Sequence, residues 1–327
     1  MLKLKNHLRQ RLHTSLGLDI PYSTWFSGIY HGRVKKTGGA IYMLHRVADP
    51  DPTRLFSNEN LKVSAAFLDR FISGLKSRKV ELVSMDEVHQ RLSSGTKSNG
   101  PYAAFTLDDG YRDNYEQAAP VFRKHRVPYT IYVSTSIPDK SAFLWWFALE
   151  DLVLENEVLK LADGETLPCA TREEKERAFL NLRIRLLNLS QETLEEEMTR
   201  LLGPGLPIAN VSESMGMNWP QLEELSQDPL CTIGGHTIRH LSLATLSKEK
   251  VMEEVVGGMD RLQAMLKRPV RHFAYPFGSR KEVGQREIDL LRTTGVLTSC
   301  VGYGGALGQV GHDLMELPRV YLSEKFS

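Results

Sequence analysis

Residues 102–110 read Tyr102-Ala103-Ala104-Phe105-Thr106-Leu107-Asp108-Asp109-Gly110. The run up to Leu107 carries no charge and is rich in apolar and aromatic residues, so it predicts a buried strand; Asp-Asp-Gly marks where that strand ends and turns. Similar β-rich runs stand at 39–44, 79–83, 127–133, 231–234, 270–275 and 297–301. Between them apolar residues recur at helical spacing, as at Ala65, Leu68, Phe71, Ile72 and Leu75. Strand alternating with helix predicts an α/β architecture built on a parallel sheet. The rhythm breaks between about 141 and 227. That stretch is rich in Leu, Glu and Arg, has helical spacing at Phe179, Leu182, Leu186 and Leu189, and carries a Gly203-Pro204-Gly205 breaker. It predicts a mainly helical insertion, with the main unit spanning 39–327 and a helical segment over 1–38.

The bulk properties exclude several classes of function. The chain has 327 residues, 41 Lys plus Arg against 40 Asp plus Glu, and a net charge of +1, so no excess charge draws it to nucleic acid. Three separated cysteines, Cys169, Cys231 and Cys300, support neither a disulfide framework nor a thiolate metal cage. Residues 1–20 lack the apolar stretch of a cleavable signal, and no run is long enough to span a bilayer. The expectation is a cytoplasmic protein. Leu4, Leu8 and Leu12, set among Lys3, Lys5, Arg9 and Arg11, form a basic amphipathic pattern. Packing on its own domain is the simpler use of such a helix; peripheral membrane contact is the other.

In α/β barrels functional side chains gather where strands end. Four strand ends carry chemistry here: Leu44-His45, Asp108-Asp109-Gly110, Gly235-His236-Thr237-Ile238-Arg239-His240, and Ala274-Tyr275-Pro276-Phe277-Gly278. Asp-Asp-Gly alone is explained by a turn. His-x-x-x-His places two imidazoles on one face if the segment begins a helix, and Thr237 at the second position excludes the metalloprotease motif. Taken together on one rim, two histidines and an aspartate form a metal site with an open position, as hydrolysis requires.

These motifs carry a family resemblance. Thr106-Leu107-Asp108-Asp109-Gly110 resembles the Thr-Phe-Asp-Asp-Gly motif of the polysaccharide deacetylases (carbohydrate esterase family four). His236-Thr237-Ile238-Arg239-His240 resembles their His-(Ser/Thr)-x-x-His, in the same chain order. The resemblance implies a distorted (β/α) barrel of about seven strands and a metal-dependent N-deacetylase acting on an N-acetylated carbohydrate. It implies that Asp109, His236 and His240 hold a divalent metal, usually zinc, and that Asp108 is the general base.

Two departures stand out. Ala274 occupies the place of the family's base-orienting Arg, which leaves the Phe277 N–H as an oxyanion donor and makes Arg319 the candidate replacement. The C-terminal Leu-x-His acid motif is missing; His312 lies nearby but in a loop context. His45 on the first strand offers the acid instead, an order similar to the permuted branch that includes poly-N-acetylglucosamine deacetylases. An imidazole near its ordinary pKa suits that role. Two alternatives remain: an amidase of a related barrel cleaving another C–N bond, or a glycan binder that has lost catalysis, prompted by Ala274. Trp145-Trp146-Phe147 reads as core or as a platform for a sugar ring. The glycines at 302, 304, 305 and 308 do not form a dinucleotide fingerprint, and no Gly-x-Ser-x-Gly elbow is present.

Overall fold

The computed structural model describes residues 38–95, 100–203, 211–307 and 311–324. The basic amphipathic segment expected within 1–38 lies outside the described residues but for Gly38. Seven parallel strands close a ring in sequence order: β1 (Gly39–Leu44), β2 (Tyr102–Leu107), β3 (Tyr129–Val133), β4 (Cys231–Gly235), β5 (His272–Ala274), β6 (Thr298–Gly304) and β7 (Leu317–Tyr321). β7 returns to β1 through the pairings of Tyr42 with Val320 and Met43 with Tyr321. This is the distorted (β/α) barrel that the sequence predicts, with one change of membership. Residues 79–83 contribute only the two-residue strand Glu81–Leu82, which pairs with the first residues of β2 outside the ring. The seventh stave is β7, which Pro318 and Arg319 disguise, since proline and charge both argue against a buried strand.

β1, β2 and β3 are buried along their whole length, as staves covered on both faces must be. Alternate residues turn to opposite faces. Ile41, Ala104, Tyr132, Ala274, Cys300 and Leu317 pack together, while Tyr42, Leu44, Phe105 and Leu107 belong to the cluster shared with the surrounding helices. α1 (Ala65–Ser77) buries Phe67, Leu68, Ile72 and Leu75 in that shared cluster and is capped by Ser64. The same period carries Thr106 and then Asp108 to the face of Ala104, and Arg319 to the face of Leu317.

The insertion follows β3. It comprises α2 (Trp145–Glu155), an antiparallel pair Val158–Lys160 and Thr166–Pro168, α3 (Arg172–Leu187), α4 (Leu194–Leu202) and the short helix Val211–Met215. Most of a second hydrophobic cluster comes from it, including Trp145, Phe147, Leu149, Phe179, Leu182, Leu186 and Met198, and Leu55, Tyr111 and Ile137 of the barrel loops join that cluster. Two features depart from the expected helical block over 141–227. The β-pair interrupts it, and α5 (Trp219–Gln227) belongs to the barrel, because Leu222 and Leu225 enter the barrel cluster just before β4. α6 (Lys248–Leu266) then covers β4.

The insertion is bolted to the loop after β1. Glu150 of α2, fully buried, accepts from the Leu55 N–H, from Asn58 Nδ2 at 2.8 Å and from Arg54 at 2.7 Å. Lys175 of α3 donates to the carbonyls of Val153, Leu154 and Asn156 at 2.6–2.9 Å, closing the C-terminus of α2 with a cation.

Candidate active site

Four loops at one end of the ring meet in a single pocket. His45, Asp108, Asp109, His236, His240, Phe277 and Arg319 all line it, together with Trp146 from the insertion. The metal-ligand, base, oxyanion and first-strand histidine candidates drawn from the sequence are therefore in one place; His312, Trp145 and Phe147 are not among the lining residues.

Asp108 and Arg319 form a two-pronged pair. One guanidinium nitrogen donates to Oδ1 and the other to Oδ2, each at 2.7 Å, while Arg319 Nε donates to the Val301 carbonyl at 3.0 Å. Asp108 is 3% exposed and Arg319 2%. Burial by itself pushes the Asp108 carboxyl up; the guanidinium outweighs it and holds the group below its ordinary range. The cation beside Asp108 thus comes from β7.

Asp109 sits at φ 78°, in left-handed backbone. Its Oδ1 lies 3.3 Å from His236 Nε2 and 3.1 Å from His240 Nε2. The three ligand-type atoms fall within 4.8 Å of one another, all buried. His236 Nδ1 donates to the Ala274 carbonyl at 2.7 Å, and a carbonyl only accepts, so the proton sits on Nδ1 and the Nε2 lone pair faces Asp109. Asp109 Oδ1 is buried and makes no hydrogen bond. A lone pair and a carboxylate oxygen at that separation repel unless a cation stands between them. The donor set therefore fits a divalent ion of the zinc class, two imidazoles and one carboxylate with room for a further ligand.

The histidine pair is not on a helix, contrary to the reading by spacing. Residues after Gly235 form a loop in which Thr237 (φ 69°) and His240 (φ 57°) are left-handed, and this bend brings the two imidazole centroids to 4.8 Å. The loop is gripped from both sides. Ser134 Oγ donates to the His236 carbonyl, and the backbone of Thr135 and Ser136 to those of Thr237 and Ile238. From α6, buried Glu254 accepts the N–H groups of Ile238 and Arg239 at 3.1 and 2.8 Å. Gly258 lies so close that a Cβ would come within 2.8 Å of the Thr237 carbonyl. Sequence reasoning missed Glu254 and Gly258; the signal was Gly257-Gly258 inside an otherwise strong helix.

Of eight non-glycine residues with positive φ among the described residues, Asp109, Thr237, His240 and Phe277 are at this site, and backbone strain of that kind gathers where function over-determines geometry. At φ 59° the Phe277 N–H has no hydrogen-bond acceptor among the described residues, which suits an anion donor. Its ring lies 4.7 Å from His240.

His45 ends β1, with its carbonyl held by Asn114 Nδ2 at 2.8 Å and its Nδ1 buried without a partner. Burial lowers its pKa below the ordinary imidazole value, although the Asp109 and Asp108 carboxylates oppose that shift. The expectation of an ordinary pKa therefore fails in the metal-free chain, because desolvation exceeds the effect of the carboxylates. His312 does not line the pocket. Trp145 and Trp146 serve the insertion core, at 2% and 8% exposure, and Trp146 also shows an edge to the pocket 5.2 Å from His240.

A sequence model of the polysaccharide deacetylase family matches residues 95–166 and 207–295, leaving out much of the insertion. The chain belongs to the polysaccharide deacetylase family, and so to a class of hydrolases that remove acyl groups from glycans. Solved structures are similar in fold. Streptococcus pyogenes deacetylase PplD in complex with acetate is 16% identical, with 89% of this chain and 94% of that one covered and a TM-score of 0.58. IcaB from Ammonifex degensii is 17% identical over 88% and 92%, with a TM-score of 0.56. The BpsB deacetylase domain from Bordetella bronchiseptica is 14% identical over 86% and 95%, with a TM-score of 0.51. No curated protein sequence matches the chain. No helix among the described residues is long and apolar enough to cross a membrane.

Proposed function

We propose that the chain is a divalent-metal-dependent N-deacetylase that hydrolyses the acetamide of an amino-sugar glycan or glycan intermediate, with His45 as the acid, as in the permuted branch. The observation that carries this is the convergence of Asp109, His236 and His240 beside the Asp108–Arg319 pair. A zinc-class ion held by those three residues would supply Lewis acidity, polarising the acetamide carbonyl and bringing the pKa of a water towards ~7. Asp108 takes the proton of the attacking water on a lone pair that Arg319 leaves free, and Arg319 keeps the carboxylate ionised and oriented. The Phe277 N–H donates to the oxygen as it gains charge. His45 gives its proton to the departing nitrogen, which leaves poorly as an anion. Acetate and a free amino sugar result.

The Asp108–Arg319 pair supports catalysis over the glycan-binder alternative, which rested on Ala274. Acetate release from N-acetylated oligosaccharides by the zinc-loaded chain, measured with and without a chelator, tests the proposal. Release should vanish in the chelator and in Asp108→Asn, which should keep its metal; loss of metal from Asp108→Asn would mean the two aspartates exchange roles.

A further inference from the structure

The insertion turns one side of α3 towards the catalytic pocket. Leu180, Arg183, Ile184 and Leu187 line it, three apolar side chains around one cation. Arg183 makes no hydrogen bond and no salt bridge among the described residues, and burial works against its charge. Its guanidinium carbon lies 5.9 Å from the centre of the Phe277 ring, the same ring that lies 4.7 Å from His240. The acid nearest in effect to Arg183 is Glu282, which lines the same pocket; one of its carboxylate oxygens accepts from both the N–H and the hydroxyl of Ser279, and it forms no salt bridge with Arg183. A second cation, Lys281, lines the same pocket, and its ammonium has no salt bridge among the described residues. A guanidinium stays charged at any working pH, and one set against apolar side chains with no carboxylate in salt-bridge contact is costly unless a ligand supplies the anion.

We propose that Arg183, with Lys281, binds an oxyanion carried by the substrate next to its N-acetylated sugar. Resting on the deacetylase proposal above, this narrows the substrate to acidic amino-sugar glycans or phosphate-linked amino sugars and away from neutral homopolymers. The anion has two sources, a uronic-acid carboxylate in the chain or a phosphate ester at its reducing end, and both present the paired oxygens that a guanidinium fits.

The test uses the full zinc-loaded chain and three probes: N-acetylglucosamine 1-phosphate, a hyaluronan tetrasaccharide and tetra-N-acetylchitotetraose. Acetate release should show a lower KM for at least one anionic probe than for the neutral one, and which probe responds identifies phosphate or carboxylate. In Arg183→Gln that preference should collapse roughly tenfold or more, through KM and not kcat, and Arg183→Lys should recover part of it. A preference that Arg183→Gln leaves intact, or a neutral probe favoured throughout, overturns the inference while deacetylation stands. If no probe releases acetate, calorimetric binding decides. An anionic probe bound by the unmodified chain and not by Arg183→Gln upholds the anion site and removes the deacetylase proposal, whereas binding indifferent to Arg183 removes both.

Discussion

Arg319 and Asp108 are 211 residues apart in the chain and share two hydrogen bonds in the pocket. The sign of their coupling sets a pH prediction. The Asp108 carboxyl is held low by the guanidinium against its burial, so it contributes stability above the ordinary carboxylate pKa, and this is lost only as pH falls through its depressed value. In Arg319→Gln the strongest opposition to burial is gone and the pKa rises. The acidic limb of the pH–rate profile should then move to higher pH, and unfolding should become easier by about 3–5 kcal/mol, the usual effect of leaving one buried charge alone. A profile that stays in place would show that Asp108 does not limit the rate as a base. His45 gives a second prediction at this scale. If it protonates the leaving nitrogen, His45→Ala should lower acetamide turnover ~10²-fold or more while sparing 4-nitrophenyl acetate, whose leaving group needs no proton. Equal loss on both substrates would assign His45 to positioning instead.

Among the elements, α6 matters more to the candidate metal ligands than its distance in sequence implies. It shapes the His236–His240 loop without contributing a ligand, through the Glu254 carboxylate and the bare backbone at Gly258. Gly258→Ala should push the Thr237 backbone away and loosen the ion, weakening zinc affinity by ~10–100-fold as the loss of ligand support commonly does. A competition titration with a zinc chelator measures it; unchanged affinity would show that the loop relaxes without moving the imidazoles.

For the molecule as a whole, the insertion supplies most of a second core, which Leu55, Tyr111 and Ile137 of the barrel loops complete. Glu150 is the principal bolt, receiving three donors from the loop after β1. Glu150→Ala leaves the Leu55 N–H buried without an acceptor and should cost about 2–4 kcal/mol, seen as a fall in Tm of several degrees. Because α3 of the insertion lines the pocket, KM should rise in the same variant. A lower Tm with unchanged KM would mean that the insertion stabilises the fold without shaping the pocket.

The sequence alone determined what local chemistry and period can encode. Buried runs alternating with helical spacing specified a parallel α/β architecture, the family resemblance added the barrel, and strand ends carrying Asp108-Asp109, His236 and His240 marked the candidate metal ligands, because a parallel ring puts all such ends on one rim. Only the tertiary structure decided the rest. β7 hid behind Pro318 and Arg319, since a charged residue reads as exposed until its partner across the ring is known. The imidazoles meet through left-handed residues, not a helical face, and no spacing rule reports φ. Glu254 and Gly258 act through backbone contacts that leave little trace in composition. The His45 pKa depends on how much protein surrounds the ring, a sum over distant residues that only the folded chain brings together.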